Sequence, residues 1–135
     1  MNVKEINTTA LAYIGDAVYE IYVRTRVLES SGDEQLAYGA HVDALHKRAI
    51  KYVKASGQAK AVKKMLAGGF LSPDEEALVR RARNHKTASK PKNADAMDYK
   101  YATAFEALIG YLHLTGENQR KEEIIQQAFT IIDAK

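Results

Sequence analysis

Residues 11–24 read LAYIGDAVYEIYVR and residues 101–114 read YATAFEALIGYLHL. Neither segment, nor any other in the chain, keeps strict apolar and polar alternation long enough for a strand, whereas Leu11, Ile14, Val18, Ile21 and Leu28 recur at helical spacing. Alanine occurs 21 times and favours helix at almost every exposed position. The chain is therefore expected to be all-α. Each segment also carries a glycine and an acid where a buried helix face is expected. A glycine inside a helix costs about 1 kcal/mol against alanine, so Gly15 predicts that something packs closely against the backbone there.

Outward from these segments, the first helix is expected over Thr8–Leu28, stopped by Ser30-Ser31-Gly32. A second is expected from Asp33 to about Ser56, ending at Gly57, followed by a short basic segment from Gln58 to Leu66 that closes at Gly68-Gly69. Ser72-Pro73-Asp74-Glu75 combines a cap, a first-turn proline and a capping-box glutamate, so a helix starts at Ser72. It runs into a basic stretch that Ser89–Asn93 turns into a loop. The last two helices are expected over Asp95–Thr115, stopped by Gly116, and Glu117–Asp133.

A length of 135 residues predicts one domain spanning residues 1–135 with a self-sufficient core. With 46% hydrophobic and 27% charged residues the composition is that of a soluble globular protein, and no apolar run approaches a membrane span. The start, MNVKEINTTA, lacks the form of a secretory signal, and the absence of cysteine excludes disulfides and thiolate metal sites. A cytoplasmic location without a membrane partner is expected.

The net charge of +3 is mild, but its distribution is not. Residues 1–79 are balanced and residues 93–135 net negative, while residues 80–92, RRARNHKTASKPK, hold six basic and no acidic side chains. Arg80, Arg81, Arg83, Lys86, Lys90 and Lys92 surround His85, and a polyanion is the natural counterpart of such a run. Asp16 and Glu106 stand apart from the other acids. Glu106 has Ala102, Thr103, Ile109 and Gly110 as one-turn neighbours, a small-residue stripe on which another helix could pack, so its carboxylate is expected to be largely buried. A poorly solvated carboxylate raises its pKa, finds a cation or binds a metal. One reading is a structural salt bridge with Arg24 in a network with Glu20. The other is that two acids from different helices hold a hard cation such as Mg²⁺ through oxygen.

The pair GDAVYE and FEALIGYL, about 90 residues apart, resembles the two signature segments of the ribonuclease III endonuclease domain. Residues 11–20, 83–92 and 102–112 together resemble the Mini-ribonuclease III branch, expected to end without a double-stranded RNA-binding domain. The resemblance implies a helical domain that dimerises around double-stranded RNA and cuts one strand in each active site. It implies that Asp16 and Glu106 are catalytic and bind Mg²⁺, which activates a water and stabilises the leaving 3′ oxygen, giving 5′-phosphate and 3′-hydroxyl ends. It points to maturation of large-subunit (23S) ribosomal RNA. Arg80, Arg83, Lys86, Lys90 and Lys92 become the expected RNA-backbone contacts, with His85 beside a phosphate. Where full ribonuclease III has further acids this chain has Thr9, Ala12 and Thr103, leaving the number of metals open, with Glu20 as an unmatched substitute ligand. Two other classes fit the residues: a non-catalytic RNA-binding or ribosome-associated protein, and a helical protein-interaction domain. Tyr13, Tyr19 and Tyr22 read as core or interface packing, and His41, His46 and His113 lack the spacing of a transition-metal site.

Overall fold

The computed structural model describes residues 1–30, 42–85 and 95–134. After a single 3₁₀ turn at Val3–Glu5, these residues form α1 (Thr8–Ser30), α2 (Val42–Val53), α3 (Ala55–Ala67), α4 (Pro73–Arg83), α5 (Ala96–Leu114) and α6 (Asn118–Asp133). No strand occurs among them. The part of the second expected helix before Val42 lies outside the described residues.

α5 is the centre of the fold. Ala102, Ala104, Phe105, Ala107, Leu108, Ile109, Gly110 and Leu112 are all buried, so the helix is covered almost all round, as an apolar helix must be. α1, α3, α4 and α6 pack against it, α1 most extensively. The α1–α5 crossing depends on two glycines. A Cβ on Gly15 would fall on the backbone carbonyl of Glu106, and one on Gly110 would fall on that of Leu11. The close approach expected at Gly15 is therefore the backbone of α5 itself.

The start of α4 follows its sequence. The Ser72 hydroxyl accepts from the Glu75 amide at 3.2 Å, and the Glu75 carboxylate accepts from the Ser72 amide at 2.8 Å. Arg120 of α6 then donates to both oxygens of Glu75, at 2.8 and 2.9 Å, locking the cap to the last helix. Gly116, at φ +76°, ends α5 as expected.

One boundary differs. Gly57 does not stop a helix but lies buried in the first turn of α3; the break comes at Lys54, whose extended backbone separates α2 from α3. Gly57 is small because a Cβ there would meet the Lys51 carbonyl. Its signal is close backbone approach at the bend. The segment expected to be short and basic is a full helix with one buried face.

Asp133 closes the far side. Its carboxylate accepts from Arg26 at 2.7 Å, Tyr52 at 2.7 Å and Lys51 at 2.8 Å, tying α6 to α1 and α2. Above this clasp Tyr19 packs edge-on to Phe105 and stacks near Phe129, while its hydroxyl donates to the Tyr52 carbonyl at 2.9 Å.

Gly15→Ala and Gly110→Ala are each expected to force α1 away from α5 and cost about 3 kcal/mol or more in urea unfolding, the upper range for overpacking a tight contact. Asp133→Asn should cost about 1–2 kcal/mol at neutral pH. Burial acts to raise the Asp133 pKa, but hydrogen bonds from Lys51, Tyr52 and Arg26 outweigh it and pull the carboxyl down to about 2. The stabilisation is thus present above the ordinary value of 3.8 and lost as pH falls towards 2, so the difference between Asp133→Asn and the unaltered protein should vanish across that window.

Candidate active site

The glycine crossing determines where the two acids meet. Asp16 follows Gly15 on α1, and the carbonyl that presses on Gly15 belongs to Glu106. The Asp16 and Glu106 carboxyls come within hydrogen-bonding reach of each other, Asp16 exposed and Glu106 half-buried. Poor solvation is therefore correct for Glu106 and wrong for Asp16, because no described element covers the α1 face that carries Tyr13, Asp16 and Ala17. The structural salt bridge is also corrected. Arg24 pairs with Glu20 at 3.0 Å, and among the described residues neither Asp16 nor Glu106 forms an ion pair.

Burial, the hydrogen bond with Asp16, and the charges of Asp16 and Glu20 push the Glu106 carboxyl up to about 8, against an opposing hydrogen bond from Gln58. A carboxyl raised in this way favours its protonated form near neutrality. Among the described residues no three His, Cys, Asp or Glu side chains gather into a metal-holding group. Thr9 is exposed, Ala12 is buried, and Thr103 donates its hydroxyl to the Tyr99 carbonyl at 3.0 Å.

Gln58 is the residue that sequence reasoning missed. It is only 3% exposed, and its Nε2 donates to the Val53 carbonyl at 2.9 Å. The available signal was periodicity, since Gln58 shares a buried helical face with Ala61, Val62 and Met65.

The basic stretch divides. Arg80 is exposed on α4, 3.8 Å from Glu76, and exposed His85 follows the helix. Arg83 is half-buried, donating at 3.1 Å to the Tyr101 hydroxyl and at 3.1 Å to Asn84, with its guanidinium over the Tyr101 ring. Lys63 of α3 also lies over that ring and pairs with Asp98 at 3.4 Å. Tyr101 precedes Glu106 by five residues, about 7.5 Å along the helix at 1.5 Å per residue, so the ring beneath these two cations sits on the same helix as one of the acids. Arg81 instead lines a groove of about 450 Å³ with Lys4, Asp74 and Arg120, whose lining includes neither acid. Lys86, Lys90 and Lys92 lie outside the described residues.

The sequence matches the family model for the ribonuclease III domain over residues 9–117. It is 46% identical to the Mini-ribonuclease 3 of Enterococcus faecalis, over 90% of this chain and 87% of that protein. It is 32% identical to that of Staphylococcus aureus, over 99% of this chain and 95% of that one. The fold is similar to a crystal structure of a Fusobacterium nucleatum protein, with a TM-score of 0.76, 28% identity and 96% of each chain covered. The chain belongs to the ribonuclease III family, on its Mini-ribonuclease 3 branch, and is an endoribonuclease.

Because Glu106 keeps its proton up to about 8 in the fold and releases it near 4.5 when unfolded, its effect on stability has a definite sign. Between those values the folded state holds the extra proton, so metal-free stability should fall as pH rises and level off above about 8. Glu106→Gln should lack that slope and melt above the unaltered protein at pH about 9. Thermal unfolding in chelator across this range reads the difference, and parallel curves would contradict it.

Proposed function

We propose that this chain is a Mg²⁺-dependent endonuclease of double-stranded RNA, a cytoplasmic homodimer maturing large-subunit (23S) ribosomal RNA, with Asp16 and Glu106 as its catalytic acids in one domain of residues 1–135. The observation that carries the site is the meeting of two carboxylates from separate helices with no cation beside them among the described residues. Like charges held together by the backbone are costly unless a divalent cation is shared between them. Two carboxylates, with the remaining ligands left to water and phosphate, suit Mg²⁺.

Asp16 and Glu106 would hold the ion, which when bound makes a water more acidic and stabilises the leaving 3′ oxygen. Glu106 must give up its proton to serve, and exposed Asp16 presents its carboxylate to the RNA side. Hydrolysis breaks the bond between phosphorus and the 3′ oxygen, and water supplies the new oxygen of the 5′ phosphate. In this reading Lys63, Arg80 and Arg83 would hold the backbone, together with the other basic residues of the run, His85, Lys86, Lys90 and Lys92. In A-form RNA such contacts read phosphate and shape more than sequence.

Tyr13 and Ile21, 80% and 66% exposed, flank Ala17 at four-residue spacing on α1. This apolar stripe beside Asp16 supports a second copy there, which would bring two acid pairs to one duplex. No helix among the described residues is long and apolar enough to cross a membrane.

The test is cleavage of a long duplex RNA with and without Mg²⁺. Asp16→Asn and Glu106→Gln should each cut at least about a thousandfold more slowly while still folding and binding RNA, as expected when a metal-centred rate enhancement is lost. Retained cutting in both would remove these acids from the mechanism. Binding of the same duplex should weaken with salt at a log-log slope of several units, each phosphate contact adding about 0.7–0.9. A salt-insensitive complex would exclude the basic surface.

A further inference from the structure

The ion pairs among the described residues fall into two groups by length. Those that tie the frame together or lie along α1 are short, 2.7–3.1 Å, as at Arg26, Lys51 and Arg120. The two longer ones are Lys63–Asp98 at 3.4 Å and Arg80–Glu76 at 3.8 Å, and both cations belong to the basic surface. Lys63 is loosely paired in a place that gathers positive charge. Its ammonium lies 4.9 Å from the centre of the Tyr101 ring and the Arg83 guanidinium 5.6 Å from the same centre, so cations from α3 and α4 share one ring of α5. The ring attracts both and neutralises neither. Arg83 spends its hydrogen bonds on neutral oxygens, the Tyr101 hydroxyl and the Asn84 amide, each at 3.1 Å, and among the described residues it pairs with no carboxylate. The Tyr101 hydroxyl accepts from Arg83 and keeps its own hydrogen to donate, with no acceptor for it among the described residues. Three helices thus bring an ammonium, a guanidinium and a hydroxyl to one partly open place, and a single carboxylate, Asp98, stands against two positive charges. Asp98 lies in the first turn of α5, where a carboxylate suits the helix dipole whether or not Lys63 is beside it.

We propose that Lys63, Arg83 and Tyr101 form an oxyanion site for one backbone phosphate of the RNA, and that Asp98 holds Lys63 in the free protein and yields it to that phosphate on binding. This rests on the reading of the basic surface as the RNA contact and adds to it a defined phosphate site with an internal competitor. An isolated anion gains little by replacing a carboxylate already in place. A duplex gains more, because its neighbouring phosphates reach Arg80 in the same event.

The test measures binding of the full chain to a long duplex RNA in chelator, so that nothing is cut, over a range of salt. Asp98→Asn is expected to bind about two- to fivefold more tightly, the worth of an exposed ion pair that no longer has to be broken. Asp98→Ser stands in if that variant fails to fold. Lys63→Met should bind more weakly and lower the log-log salt slope by about one, and in that background Asp98→Asn should add nothing. Tyr101→Phe, which removes only the hydroxyl, should weaken binding about tenfold. If Asp98→Asn tightens binding equally with and without Lys63, the effect is the general field of a lost negative charge and the exchange is overturned. A purely structural Asp98 predicts a lower melting temperature with affinity unchanged, which overturns it as well. Unchanged binding by Tyr101→Phe removes the oxyanion site. If Lys63→Met, Arg80→Met and Arg83→Met all bind the duplex as the unaltered protein does, the basic surface itself falls and this site falls with it.

Discussion

The contact between Gly15 and the backbone of α5 is the constraint on which the rest of the molecule depends. Two helices approach this closely only where neither presents a Cβ, and the chain satisfies that twice, Gly15 against Glu106 and Gly110 against Leu11. The arrangement is reciprocal: on each helix the carbonyl that meets the other's glycine lies four residues, about one turn, before its own glycine. Packing and chemistry are joined at this point, because the residue after one glycine and the residue whose carbonyl fills the gap are the two acids. Bringing the helices together necessarily brings two negative groups together.

Such a site works against folding, and the surrounding structure offsets it. α5 is sealed among four helices, Arg120 locks the cap of α4 to α6, and Asp133 draws cations from α1 and α2 onto the end of α6. The Arg120 and Asp133 contacts involve neither acid of the pair. Stabilising contacts made elsewhere in the frame are how a protein sustains an electrostatically unfavourable centre.

Much of this was legible in the sequence for local reasons. Ser72 and Glu75 sit three residues apart and satisfy each other's backbone, so the start of α4 needed no tertiary information. Gly15 announced a close contact because glycine weakens a helix interior and gains most where a neighbouring backbone needs the space of a side chain. The same logic misled at Gly57, which read as a stop although the fold uses its missing side chain to seat Lys51. Asp16 is exposed where periodicity suggested burial, because the stripe it shares with Tyr13 is apolar without being core. Gln58 was hidden for a different reason: a polar residue among lysines looks solvated until the helix is built and its face turns inward.

The chain has eight tyrosines and no tryptophan, so its near-ultraviolet emission is tyrosine emission. Tyr19 and Tyr52 are enclosed in the core, while Tyr101 lies beneath Lys63 and Arg83 and accepts a hydrogen bond from one of them. An anion that draws either cation away changes the surroundings of that ring and leaves the enclosed rings as they were. The fold thus contains its own optical reporter, mounted on the helix that bears Glu106 and sensitive to what its neighbouring charges are touching.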